Sequence, residues 1–356
     1  MKKLYFLMLG ALAVSMAACS DEEPSLRKTD GEAIDFRPGF SGSRATETTN
    51  ANLKSITVTA IDSVGGANYF TDLTFNKGSD GFFTSSPVYF WPGDDRSLTF
   101  YAYSPTMDEL NADITIDAST KEMTGFVVAD SIKDQVDFVT AVAKGNKSSN
   151  EASGVELTFK HQLSQIELQA RSDSKAYKTE VAGMRIGRVE YMASSFDFAT
   201  SKWTLDEWHD TFVYSSSCTP VVLGSDPVSI MGDAGNAMLL PQTLYPWNPV
   251  GDPDNAARER YLGALVRVTT VDGDVVFPLP GSNKTYDWVA LPLSGTWEAG
   301  KHYVYTLDFT KGAGYIDPDG PNPGKPVIQG EIKLDVDVSD WVNDSKDVSM
   351  EATLHK

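Results

Sequence analysis

Two residues near the front of the chain are set up for chemistry done to the protein rather than by it. Cys19 follows Ala17 and Ala18 at the end of a short apolar run, and Arg44 is the one basic residue between Pro38 and Asn52. A cysteine exposed as a new N-terminus can be acylated. An arginine in a loop rich in Gly, Ser, Thr and Asn can be cut after, because a solvated and mobile backbone enters a protease cleft most easily. The bond at risk joins Arg44 to Ala45.

Residues that would carry out a reaction are not grouped in this way. His161, His209, His302 and His355 are scattered, with no HExxH pair, no GxSxG elbow, no P-loop and no paired-glycine dinucleotide fingerprint. Cys19 and Cys218 are the only cysteines, too few for a disulfide framework or a spaced metal-ligand cluster. His161 falls on the apolar face of an alternating run and reads as a hydrogen-bonded core residue. Asp317, Asp319 and Gly320 have a fragment of calcium-loop spacing but lack the later ligands, so that stretch reads as a turn. The chain is therefore expected to be no enzyme and to need no cofactor or metal. Trp203, Trp208 and Trp247 sit in polar surroundings where they could stack on sugars, which keeps a glycan-binding reading open.

With 356 residues, 41% of them hydrophobic, the chain can fill two cores. Its formal charge of −19 repels nucleic-acid phosphates and suits a soluble, exported surface. Lys2 and Lys3 precede the apolar run Leu4 to Met16, too short to span a bilayer and shaped as a secretory signal over residues 1–18. The small residues before Cys19 resemble the lipobox of bacterial lipoproteins, which makes Cys19 the lipidated residue. The alternative is ordinary signal cleavage. Asp21, Glu22 and Glu23 then resemble the acidic surface-export signal of lipoproteins in one phylum of Gram-negative gut and oral bacteria, and residues 19–31 form a tether.

From Leu53 onward the dominant period is two, with turn residues between the runs, the pattern of an all-β sandwich protein. The polar run Gly145 to Gly154 is the most linker-like interior segment, so the domain boundary is drawn there: 32–150 and 151–356. After it, apolar parity shifts between Val155–Leu163 and Ile166–Ala170, which suggests a bulge or a strand crossing between sheets. Trp247 to Arg260 reads as a surface loop and Gly312 to Pro326 as a stiff connector. Near the C-terminus Ile332 to Val338 alternates strictly, and Val348, Met350, Ala352 and Leu354 alternate again almost to the last residue. This final strand either closes its own sheet or completes a neighbour's.

The front of the chain bears on that choice. Ile34 and Phe36 form a short apolar strand pattern immediately before the Arg44 loop. While tethered, such a strand has an effective concentration on the order of millimolar and excludes competitors. A cut at Arg44 removes that advantage and leaves the formal charge at −19. A strand from another subunit can then enter by β-augmentation, and a head-to-tail contact of this kind propagates as a filament.

A set of short motifs carries a resemblance. Ile34-Asp35-Phe36 precedes Ser43-Arg44-Ala45-Thr46; Tyr89-Phe90-Trp91-Pro92, Leu98 to Tyr103 with Pro105, Asp137-Phe138-Val139, Val155 to Leu163, Leu240-Pro241-Gln242, Trp297 to Tyr305 and Asp340-Trp341 follow in order. Together they resemble the fimbrillin family, the Mfa-like subunits of type V pili. The resemblance implies two transthyretin-like β-sandwich domains in tandem, export as an outer-membrane lipoprotein by the lipoprotein machinery, and cleavage after Arg44 by an arginine-specific protease. It also implies polymerisation with other pilus subunits by strand exchange, and adhesion to a host or bacterial surface receptor. Arg37 is the poorer cleavage site because Pro38 follows it. A cleavage site together with a patterned terminal strand favours a shaft subunit over a tip subunit. The alternative is a monomeric surface lipoprotein that binds glycans.

Overall fold

In the computed structural model, residues 33–40, 52–206, 211–251, 259–328 and 332–341 are described, and they are almost entirely strand and turn. Seven strands close on themselves in the order β1 (Phe36–Phe40), β4 (Phe83–Ser85), β3 (Asn68–Lys77), β2 (Ser55–Asp62), β5 (Leu98–Ser104), β8 (Val139–Gly145) and β9 (Val155–His161), which returns to β1. Neighbours are antiparallel except β1 and β9, which run parallel. Alternation along each strand sends every second side chain inward. Ile56, Val58 and Ala60 of β2, Phe100 and Ala102 of β5, and Val155, Leu157 and Phe159 of β9 meet inside this closed sheet. The opposite face of β5 carries Tyr101 and Tyr103 into a second core. One strand thus walls two interiors.

The second core lies in a β-sandwich. One sheet is built on β10 (Ser164–Arg171), flanked by β15 (Val228–Ser229) and β16 (Ala237–Leu239) on one side and by β22 (Lys301–Asp308) and then β24 (Lys333–Asp340) on the other. The facing sheet runs β14 (Phe212–Val222), β11 (Tyr177–Val189), β18 (Tyr261–Thr270), β20 (Asp287–Pro292) and β23 (Tyr315–Ile316), with β19 (Val275–Phe277) also on β18. Ile166 and Leu168 from the first sheet and Met184, Ala264 and Val289 from the second are all fully buried between them. β17 (Thr243–Leu244) and β21 (Gly295–Thr296) form a short ribbon. At Gly187 a Cβ would stand 2.1 Å from the Tyr261 ring, so only glycine lets β11 and β18 approach there.

A fourth sheet interlocks the halves. β6 (Asp113–Ile116) and β7 (Lys121–Thr124), from the first half of the sequence, pair through Phe196↔Met123 with β12 (Ala193–Asp197), which pairs in turn with β13 (Lys202–Leu205). Phe138 packs edge-on to Phe196 at 5.2 Å between ring centres, joining residues from both halves. Helix among the described residues is confined to two single α-helical turns, α1 (Met107–Leu110), closed by a Thr106–Glu109 capping box, and α2 (Lys147–Asn150), and two 3-10 turns at Ile132–Asp134 and Gly232–Ala234.

The sheets do not divide at residue 150. The polar run 145–154 is a connection within the closed sheet, carrying α2, and β9 beyond it pairs with β8 and β1. Polar composition marks solvent exposure, and a hairpin connection is as exposed as a linker. The chain leaves the closed sheet one strand later, at Gln162 and Leu163, where the apolar parity changes. Residues 107–132, placed by sequence in the first domain, supply Leu110, Ile114, Ile116, Met123, Phe126 and Ile132 to the second core.

Candidate functional site

β1 owes its place to two apolar side chains two residues apart. Ile34 is 1% exposed and Phe36 is fully buried, its ring edge-on to Phe75 at 4.8 Å and to Phe100 at 5.0 Å. The residues leading into the strand are bonded as well: Ala33 bridges to Phe90, and the Ile34 N–H donates to the Tyr89 carbonyl at 2.8 Å. On the β9 side five residue pairs run from Phe36↔Val155 to Phe40↔Phe159. On the β4 side only Phe36↔Phe83 is paired.

This asymmetry follows from the local sequence. The Val155 N–H donates to the Asp35 carbonyl at 3.0 Å, so odd-numbered residues of the segment turn their backbone groups toward β9 and even-numbered ones turn away. Pro38 is even-numbered, and its missing N–H falls on the β4 side, where a ladder bond cannot form. β1 is therefore held by one full ladder and the core beneath it, with an incomplete seam against β4. The Arg37–Glu156 ion pair at 3.0 Å is exposed and adds at most about 1 kcal/mol. Beside β4, Lys77 lies 6.0 Å over the Phe83 ring, and partial burial lowers its pKa from the ordinary value.

The end of the described chain docks on the opposite unit. β24 pairs along its whole length with β22, from Lys301↔Asp340 to Asp308↔Lys333, and turns Leu334, Val336 and Val338 half-buried onto the sandwich core. Trp341 then stacks on His161 with ring centres 4.2 Å apart and planes 11° from parallel, while its backbone N–H donates to the Gly300 carbonyl at 2.8 Å. His161 Nδ1 lies 3.0 Å from both carboxylate oxygens of Asp137. This buried pair, at the end of β9, is thus a seat for Trp341. Cys19, Arg44, Ala45 and the alternating residues Val348, Met350, Ala352 and Leu354 all lie outside the described residues.

The tryptophans considered as sugar platforms are placed otherwise. Trp203 is half-buried, packed 4.8 Å from Phe196, and donates its indole N–H to the Gln162 carbonyl at 2.7 Å. Trp247 is only 5% exposed, between Tyr261 and Tyr315, so the loop it opens is anchored inward. Trp208 lies outside the described residues. Asp317 to Gly320 is a turn closed by the Gly320 N–H on the Asp317 carbonyl at 3.0 Å. Among the described residues no cluster of three or more metal-ligating side chains occurs.

A profile of fimbrillin-like proteins matches residues 43–341. The chain belongs to the fimbrillin-like family. Two solved structures share the fold of this fimbrillin-like chain. A fimbrial protein from Bacteroides vulgatus superposes with a TM-score of 0.57 at 17% identity, covering 87% of this chain and 99% of that one. A protein from Bacteroides ovatus assigned to cell adhesion gives 0.51 at 13% identity, covering 88% and 99%. A search of curated proteins finds no match. Within the matched residues, Tyr89 lies against the entry to β1, accepting from Ile34, and Val155 to His161 form β9 beside it, while Ile34 to Phe36 precede the match. What the sequence did not reveal is that β9 is the strand beside β1. Parallel pairing between residues more than a hundred positions apart leaves no local signature.

Proposed function

We propose that this fimbrillin-like chain is a pilus subunit whose β1 is a provisional strand, removed by cleavage after Arg44 and replaced by a strand from another subunit. The observation that carries the reading is β1 itself. It is a short strand with a buried Phe36, laddered on one side and nearly unpaired on the other, placed immediately before the Arg44 loop. Burial of Ile34 and Phe36 is worth roughly 3 to 6 kcal/mol. On that apolar term alone, a severed β1 peptide would bind with a Kd between about 6 mM and about 40 μM. A cut therefore converts a strand that is always present into one that can leave.

The donor in this reading is Val348, Met350, Ala352 and Leu354 of a neighbouring copy, whose spacing of two matches that of Ile34 and Phe36. β24 and the Trp341 seat hold the root of that segment on the donor's own sandwich. The subunit travels as a lipoprotein through Cys19, is cut by an arginine-specific protease at the surface, and takes its place in the shaft of a cell-surface fimbrium that mediates adhesion. In this reading the closed sheet and the sandwich would serve as the two transthyretin-like domains that the family resemblance implies.

The test is to treat purified, unlipidated precursor with trypsin, sequence the new N-terminus, and run the product in mild denaturant. A start at Ala45 accompanied by resistant ladders supports the reading. A chain that is cut at Ala45 yet stays monomeric at high concentration overturns it.

A further inference from the structure

We propose that a cleft on the second sandwich, formed where β11, β19, β20 and β23 meet, binds a neutral saccharide. None of these strands pairs with the closed sheet, so the cleft is separate from the β1 groove. Its volume is about 630 Å³, within the size range of small-ligand pockets.

The floor is stiff. The Arg185 guanidinium lies 3.9 Å over the Trp288 ring and donates from Nη1 to Asp317 Oδ2 at 2.9 Å, while the Asp317 carboxylate is 2% exposed. Its neighbour Asp319 accepts from the Tyr261 hydroxyl at 2.5 Å and from Arg188 at 2.7 Å. Lys284 at the rim is paired with Asp287 at 2.8 Å. Three cations therefore face three carboxylates, and each is matched within the protein. A strongly charged ligand finds no net opposite charge here and would have to break one of these pairs.

What remains unspent is hydrogen-bonding capacity without charge imbalance. Among the described residues, Trp288 Nε1, Arg185 Nη2 and the side-chain nitrogen of Asn322 make no hydrogen bond, although all three residues line the cleft. Beside these donors stand apolar walls, including Leu279, which is 43% exposed, and Pro280. A pyranose ring has the matching character, with a C–H face for apolar and aromatic surface and equatorial hydroxyls that accept from fixed N–H groups. Preorganisation of the Arg185–Trp288 stack lowers the ordering cost of such a contact.

The experiment uses the uncut, full-length monomer, so that it is independent of strand exchange. Saturation-transfer difference NMR is recorded with lactose, N-acetyllactosamine, mannobiose and maltotriose, and with sialyllactose as the charged comparison. Transfer to at least one neutral sugar is expected, with affinity falling about tenfold or more in Trp288→Ala. The exposed Leu279→Trp, which fills the mouth without touching the core, should abolish binding while the unfolding midpoint stays in place. No transfer to any neutral sugar, binding of sialyllactose alone, or binding unchanged by Leu279→Trp would each overturn the proposal.

Discussion

Truncation of Phe36 to alanine isolates the contribution of β1. The ring is fully buried and edge-on to Phe75 and Phe100, so its removal leaves a cavity and forfeits two aromatic contacts. The cost for such a site is about 3 to 5 kcal/mol. If β1 detaches as a unit, with the remaining strands of the closed sheet intact, that cost falls on the local opening equilibrium. The open population then rises by about two to three and a half decades. Hydrogen exchange reads this directly at two amides that β1 controls: Ile34, which donates to Tyr89, and Val155, which donates to Asp35. Both should lose protection by that factor, whereas Val58 and Ala102, paired in the centre of the closed sheet, should change little. Trypsin-treated Phe36→Ala should also assemble faster than the parent, because vacating the groove no longer limits the rate. If protection at Ile34 and Val155 falls only in step with that at Val58 and Ala102, β1 opens only when the whole sheet unfolds. The reasoning from an incomplete seam would then be wrong.

Three further outcomes follow from the same structure. Arg44→Gln should block tryptic release of a chain starting at Ala45 and keep the protein monomeric, as seen by N-terminal sequencing and gel filtration. Met350→Asp should leave cleavage intact but abolish ladders of homopolymer, since a carboxylate entering an apolar groove costs several kcal/mol; addition of the parent chain as donor should restore incorporation. Glu167 supplies a pH test: hydrogen bonding from His302 is the largest influence lowering its pKa from the ordinary 4.5, burial opposes it, and Gln169 adds to it. Because the folded-state value lies below the unfolded one, the stabilisation is complete above about 4.5 and is lost as pH falls through the lowered value. Glu167→Gln should therefore unfold earlier than the parent at neutral pH, with the gap closing in acid; a gap that is constant with pH refutes the assignment.

Much of this organisation was written locally. Period-two runs announced the strands, because each has one face in a core and one outside it. Ile34 and Phe36 were readable as an apolar pair, and the change of parity after Leu163 marked the step from the closed sheet to the sandwich. Pairing partners were not readable in this way. The run 145–154 looked like a linker because exposure, not connectivity, shapes its composition. The hairpin of β6 and β7 gave no sign that its partner would be β12, seventy residues onward, and Trp203 and Trp247 looked like surface aromatics until neighbours from distant strands covered them. The cleft at Trp288 was not legible as a site, since Arg185, Trp288 and Asp317 come from three separate strands or turns and the run Asp317 to Gly320 read only as a turn. Residue order alone established that this chain is made of strands, which side of each strand is apolar, and that Arg44 stands alone as a basic residue in a polar run. Which strand lies beside which was decided only by the tertiary structure, because backbone hydrogen bonds are the same for every residue and the choice among partners rests on how whole faces pack.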